Sequence, residues 1–247
     1  MLTQKQIDAF MALEMEFPPV AVKFSGEKPE NLPQSDKKLA LCQFAKETQV
    51  SGEAFYITLE NEACSGAISL GMRPLDPLHK SGQVGQDAEL YQTAAANAKL
   101  HTQYPILPPG TANFVSFAPL SKCDFDPDLV LCLANNAQAE ILMRATSYIS
   151  GDLWESKSSL VNSCAWLFAY PYTCGKVNFC ITGLHFGMKR IGVYPPGMHL
   201  ISIPHQKLSE VATALVEMPW TPLPFRTDEE SIAEMERRKA GWKTVKI

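Results

Sequence analysis

Two stretches of the chain are punctuated in the same way, and this repetition limits what it can fold into more than any other feature. Cys64-Ser-Gly-Ala-Ile-Ser-Leu closes on Gly71-Met72, and Cys180-Ile-Thr-Gly-Leu-His-Phe closes on Gly187-Met188 at the same offset. Each cysteine follows a β-rich run, Ala54 to Glu60 and Lys176 to Phe179. Each run follows a glycine, Gly52 and Gly175, and each glycine follows an apolar segment with one further cysteine, Cys42 and Cys164. Farther on, Pro108-Pro-Gly110 leads into an apolar run before Pro119, and Pro195-Pro-Gly197 does the same before Pro204. Such self-similarity points to an internal duplication. It predicts two half-repeats, residues 1–120 and 121–225, packed about a pseudo-two-fold axis that carries equivalent cysteines into one neighbourhood. A charged helical tail follows over 226–247, and residues 73–107 read as an insertion without a counterpart in the second half.

Thr3 and Gln6 form a capping-box pattern, and Ile7, Phe10, Met11 and Met15 recur at helical spacing, so the chain opens with an amphipathic helix ended by Pro18-Pro19. Val20 to Phe24 reads as a strand, Gly26 to Lys38 as a loop, and Leu39 to Thr48 as a helix that carries Cys42 and stops at Gly52. Within the insertion, the alanine-rich run from Ala88 to Leu100 predicts a helix. Phe114 to Phe117 and Asp128 to Leu133 read as strands. The second leads to Asn135-Asn136, a favoured N-cap, and to a helix over Ala137 to Ser150 closed by Gly151. Ser158 or Ser159 is placed to cap a helix through Cys164 to Ala169 that Pro171 stops. Val177 to Cys180 and Met198 to Ile203 read as strands, Gly183 to Arg190 as a loop or short helix, and Gln206 to Glu217 and Thr227 to Lys239 as helices. Helices alternating with short apolar strands give an α/β fold, or an α+β one, with mixed sheets flanked by helices.

At 247 residues, 46% hydrophobic and 19% charged, the chain is long enough to bury a sizeable core. A net charge of -4 with scattered Lys and Arg leaves no basic stripe to follow phosphates, which removes nucleic acid as a partner class. The first residues lack the basic and then apolar regions of a secretory signal, and no run reaches the ~18–20 apolar residues of a spanning helix. The expectation is a cytoplasmic protein with no membrane association. In that reducing compartment, an odd count of seven cysteines argues against a disulfide framework.

A free cysteine commonly behaves as a small buried hydrophobe. That reading suits Cys132, inside the apolar run Leu129 to Leu133, and Cys123 in its loop; Cys174 is a reserve candidate that could replace one ligand. Cys42, Cys64, Cys164 and Cys180 stand apart because the repeat pairs them twice. Four thiolates from separated segments suit a 4Fe-4S cluster or a tetrahedral zinc, and the absence of close cysteine pairs on tight knuckles favours iron-sulfur. Gly66 and Gly183, just behind the strand cysteines, would let backbone amides approach cluster sulfurs as cofactor-binding positions. His185 is a haem or metal ligand in an alternative reading and a structural histidine in the plainer one. Trp166, Phe168, Tyr170 and Tyr172 beside Cys164 suit either the core or a pocket wall. Nucleophile-elbow, Walker, dinucleotide and His-Glu-x-x-His motifs are absent.

The chain resembles the prokaryotic family called domain of unknown function 169, widespread in anaerobic bacteria and archaea. Pro19-Val-Ala-Val-Lys-Phe24, Cys42, Cys64 ahead of Gly71, and the run from Asp128 to Ala145 carry the resemblance. So do Cys164 through Pro171, Cys180, Arg190 and Ile203-Pro204, so that it covers most of the chain. It implies a shared fold and an interest in the cysteines, and brings no activity with it. Family members tend to show a Gly-Cys-x-Gly-x-Arg-like stretch; this chain has Phe179-Cys180-Ile-Thr-Gly183, with Arg190 farther along. The leading expectation is a cytoplasmic 4Fe-4S protein of anaerobic metabolism, ligated by Cys42, Cys64, Cys164 and Cys180. It would serve electron transfer, sensing or a redox enzyme, with a redox enzyme or electron carrier as partner and a homo-oligomer as one assembly. Two other classes stay open. One is a small-molecule or tetrapyrrole-binding module that uses His185 or Met188 and in which the cysteines are packing; the other is a thiol-dependent enzyme that uses Cys64 or Cys180.

Overall fold

Short, largely apolar strands organise the molecule: β1 (Phe17–Ser25), β2 (Phe55–Ile57), β3 (Phe114–Pro119), β4 (Leu129–Ala134), β5 (Asn178–Ile181) and β6 (His199–Pro204). In the computed structural model, which describes residues 1–242, they form one sheet in the order β2-β3-β1-β4-β6-β5. Every pairing is antiparallel, so a single antiparallel sheet stands in place of separate mixed ones within the α/β class. Read outward from the central β1-β4 pair, each half of the chain places its first strand at the centre, its third next and its second at the edge. Pro18 and Pro19 lie inside β1 rather than before it. The β1-β4 register shifts between Phe17 and Val20, and a bulge is where a strand tolerates proline.

Side chains alternate across the sheet. Val20, Val22, Leu129, Leu131 and Phe117 join one buried cluster with two helical segments. The first is α2 (Leu41–Ser51); the second is a π turn (Ala165–Ala169) continued by α8 (Tyr170–Cys174). The intervening residues Ala21, Val130, Cys132 and Ile201 are buried on the other face. That side carries α1 (Gln4–Met11), whose Thr3-Gln6 capping box forms, and α7 (Asn136–Ser147), capped by Asn135. The Gln6 side chain reaches Thr213 of α10 (His205–Glu217) at 3.1 Å.

The two cysteine-bearing helices end alike, on left-handed glycines, Gly52 at φ 69° and Gly175 at φ 65°. One more residue separates Cys164 from Gly175 than Cys42 from Gly52, and a π turn is how a helix absorbs a single extra residue. Pro171 does not stop the second helix: helical structure runs unbroken over 163–174, and the proline follows directly on the π turn, where the regular α-helical hydrogen-bond ladder is interrupted. Nor do Ser158 or Ser159 cap it: helical structure begins at Ser163, and both hydroxyls are engaged elsewhere.

Short helices α3 (Gly66–Ser69) and α9 (Phe186–Arg190) follow Cys64 and Cys180. The insertion holds α4 (Pro77–Ser81), α5 (Gln83–Asp87) and α6 (Ala94–His101). The helix expected from Ala88 starts later because Thr93 is the N-cap, its hydroxyl accepting from the Ala96 amide at 3.1 Å. The described chain divides into a unit over Met1–Val216, which contains the whole sheet, and a unit from Glu217 onward with α11 (Glu229–Trp242), the expected charged helix. Among the described residues no helix is long and apolar enough to cross a membrane.

Candidate functional site

The site grows from the turn between β2 and α3. Asn61, buried at the end of a 3-10 turn, donates to the carbonyls of Ser35 and Lys37 at 2.8 and 2.9 Å and accepts from the Thr58 amide at 3.0 Å. This clamp ties the turn to the segment leading into α2 and sets Glu62 inward, where it is buried. Glu62 Oε1 accepts from the Leu41 amide at 3.1 Å and the Cys64 amide at 3.2 Å. The carboxylate thereby satisfies an amide in the first turn of α2 and joins the two segments that carry Cys42 and Cys64. Glu62 Oε2 is buried without a hydrogen-bond partner. Burial pushes this carboxyl up to about 7, against the pull of the Ala67, Cys64 and Leu41 amides and the Arg73 guanidinium. Arg73 itself donates to the Cys64 carbonyl at 3.1 Å.

Cys42, in the first turn of α2, is buried; burial, then Cys64, then Glu62 push its thiol up to about 12. Cys164, at the start of the π turn, is raised well above the ordinary thiol range by burial first and then by Cys42, Glu62 and Cys64. Cys64 is the half-buried member. Cys64 and Glu62 therefore act on Cys42, and all three act on Cys164, although they come from three segments spread across the chain. Tyr194 borders the group: burial and then Cys42 raise its phenol, which donates to Gln49 Oε1 at 2.9 Å.

Cys180 belongs to a second group. It is buried in β5, and burial raises its thiol to about 11 while the Ser158 hydroxyl lowers it; the other three thiols are not among the groups that shift it. Ser158 Oγ lies 3.0 Å from Nε2 of His185. His185 is buried with no partner for Nδ1, and burial lowers it to about 4, so it is neutral near pH 7. Cys64 and Glu62 thus lie within electrostatic reach of Cys42, and all three within reach of Cys164, while Cys180 lies with Ser158, whose hydroxyl meets His185.

The two glycines differ as well. A Cβ on Gly66 would lie 2.5 Å from Glu62 Oε2, so the absence of a side chain there makes room for the carboxylate. Gly183 adopts φ +89°, and a Cβ there would lie 2.9 Å from Pro196 Cβ, so its requirement is both conformational and steric. Near Cys64, the amides of Cys64 and Ala67 act on the carboxylate. Cys132 lies on the opposite sheet face, Cys123 donates to the Phe125 carbonyl at 3.0 Å, and Cys174 is exposed at the end of α8. All seven cysteines are free. Among the described residues, no three or more His, Cys, Asp or Glu side chains are arranged as they stand to hold a metal ion, so a shared metal requires the thiols to rotate toward one point. A surface cleft of about 440 Å³ is lined by Met143, Trp154, Lys176 and Lys207 among others, and by none of the cysteines.

Residues 11–214 match the family DUF169, described as Uncharacterised ArCR. The chain is 25% identical over 225 residues to an uncharacterized protein of Methanocaldococcus jannaschii, a match that covers 85% of this chain and 91% of that one. No solved structure matches it. The family match spans the sheet and both side-chain groups around the cysteines, and the chain belongs to the DUF169 family.

Proposed function

We propose that Cys42, Cys64 and Cys164 are thiolate ligands of an iron-sulfur centre, with Glu62 beside its fourth position. The protein would then have a redox role in anaerobic metabolism, in electron transfer, in sensing or in service to a redox enzyme. What supports this reading is that Cys42, Cys64 and Cys164, distant in sequence, lie within electrostatic reach of one buried carboxylate, Glu62. Several acidic groups in an apolar setting cannot all ionise on their own, so the free protein holds Cys42 and Cys164 protonated, and metal binding would displace those protons. Thiolate sulfur suits iron-sulfur clusters and zinc alike. With three thiolates in place of four, the remaining position falls to a carboxylate or to an exchangeable ligand. The likeness of the two halves in strand placement and in glycine-capped helices, which carry Cys42 and Cys164 at corresponding places, supports the pairing of these two cysteines.

The test is iron and acid-labile sulfide per chain, with the visible spectrum, on protein purified without oxygen. The expected result is a cluster with about four irons and four sulfides, lost on Cys42→Ser, Cys64→Ser or Cys164→Ser and kept on Cys180→Ser. Zinc without sulfide would replace the cluster with a structural metal, and no metal in the anaerobic wild type would end the proposal.

One feature favours a second reading. Cys64 is the one member of the group with partial solvent access, and its amide is bonded to the Glu62 carboxylate. A thiol-dependent reaction at Cys64 would appear as rapid alkylation of that residue alone in metal-free protein.

A further inference from the structure

The chain carries 26 acidic side chains, about one residue in ten, yet no Asp or Glu occurs from residue 156 to residue 209. Lys157, Lys176, Lys189, Arg190 and Lys207 do occur there, so a chain with a net charge of -4 holds one strongly positive segment. Carboxylates at or beyond its ends take two of these cations: Glu155 pairs with Lys176, and Lys207 lies 3.1 Å from Asp152 and 2.9 Å from Glu210. Lys157, Lys189 and Arg190 are exposed and, among the described residues, have no carboxylate within ion-pair distance.

These three cations border apolar side chains that face water. Leu160, Leu184, Phe186 and Ile191 are between 38% and 53% exposed, and they gather on and around α9. The Phe186 amide donates to the Leu160 carbonyl at 2.7 Å, and the Ser158 hydroxyl meets His185 Nε2 at 3.0 Å, so the 157–160 segment lies against the start of that helix. The Arg190 guanidinium sits 5.9 Å from the centre of the Phe186 ring, and arginine and aromatic side chains of this kind anchor protein interfaces. The inner side of α9 is fixed in place: Met188 is buried in the cluster that holds Cys42, Cys164 and Cys180.

We propose that the outer face of α9, with the 157–160 segment, docks a small acidic electron-carrier protein. That the partner carries electrons rests on the iron-sulfur reading above; its acidity and its place rest on the unpaired cations and the apolar side chains beside them. In such an interface the apolar centre holds the partner, and the charges steer its approach. A second copy docked through the same face would set Lys189 and Arg190 against their own equivalents, so like charges oppose a symmetric dimer there.

The test measures binding of the full chain, purified without oxygen, to a bacterial two-cluster ferredoxin and to a flavodoxin as acidic probes. Binding is expected to weaken as salt rises from about 0.01 to about 1 M and the screening length falls from about 30 to about 3 Å. Lys189→Glu combined with Arg190→Glu should slow association at low salt by about 10–100-fold, and Leu184→Ser should speed dissociation while leaving the salt dependence unchanged. The three side chains are exposed, so both variants should melt as the wild type does. No binding of either carrier, or binding that charge reversal leaves unchanged, would overturn the proposal. Capture by phosphatidylglycerol vesicles without binding of either carrier would also overturn it and assign the face to an anionic membrane. Iron content of the same samples is a separate result: a chain without iron that binds the carriers in this way keeps the docking surface and ends the cluster, and a cluster-bearing chain that binds neither does the reverse.

Discussion

Glu62 and His185 are both buried with one side-chain atom unpartnered, and burial moves them in opposite senses relative to pH. The Glu62 carboxyl binds its proton more tightly folded than unfolded. Its contribution is thus fully present below the ordinary carboxyl range near 4.5 and is lost as pH rises toward about 7. His185 is held neutral, so its contribution is present above 6.5 and is lost as pH falls toward about 4. Between those limits the two slopes oppose each other in the metal-free protein. Glu62→Gln removes one of them: the stability of the variant relative to wild type should rise by on the order of 2–3 kcal/mol from pH 4.5 to 7, as read by urea unfolding at each pH. A constant difference would mean that Glu62 titrates normally. Gly66→Ala should cost about 1–3 kcal/mol by overpacking against that carboxylate, seen as a lowered melting temperature. Nothing in Leu59-Glu-Asn-Glu62 distinguishes Glu62 from a surface acid. The available signal was its position two residues before Cys64, and only the Asn61 clamp, made of contacts distant in sequence, turns it inward.

Element by element, strands and capped helices were legible where local chemistry decides them. The Thr3 and Asn135 caps, β4, β6 and the stops at Gly52 and Gly175 follow from residue types at fixed offsets. The misreadings lie where partners far along the chain decide. Ser158 and Ser159 look like caps, but His185 and Trp166 claim their hydroxyls, and Pro171 looks like a stop although the helix runs through it directly after the π turn. The glycine-capped helices make a matched prediction. Around Gly52 and Gly175 a Cβ would meet only ordinary contacts, so the cost of alanine comes from the left-handed backbone alone. Gly52→Ala and Gly175→Ala should each destabilise by about 1 kcal/mol, and unequal losses in thermal unfolding would mean that the two helix ends are not equivalent.

For the molecule as a whole, the repeated punctuation predicts two pseudo-symmetric halves with mixed sheets; the structure has one antiparallel sheet in which the strands of each half take the same relative order, and Cys42 lies within electrostatic reach of Cys164. The punctuation could not anticipate that Cys64 joins them while Cys180 pairs with Ser158 and His185, because equivalent positions in the two halves carry different neighbours: Glu62 precedes Cys64 where Asn178 precedes Cys180. The sheet and all three converging thiols lie within Met1–Val216, so a chain ending at Val216 should keep any bound iron; loss of iron from a folded truncation would contradict this. The convergence itself can be tested without iron. Trivalent arsenic binds three neighbouring thiols far more tightly than two, so arsenite titrated into the reduced, metal-free protein counts the thiols that can reach one point. One tightly bound arsenic per chain is expected, weakened by Cys42→Ser, Cys64→Ser or Cys164→Ser and unchanged by Cys180→Ser. Tight binding that survives Cys164→Ser, or is lost with Cys180→Ser, would contradict the three-thiol site.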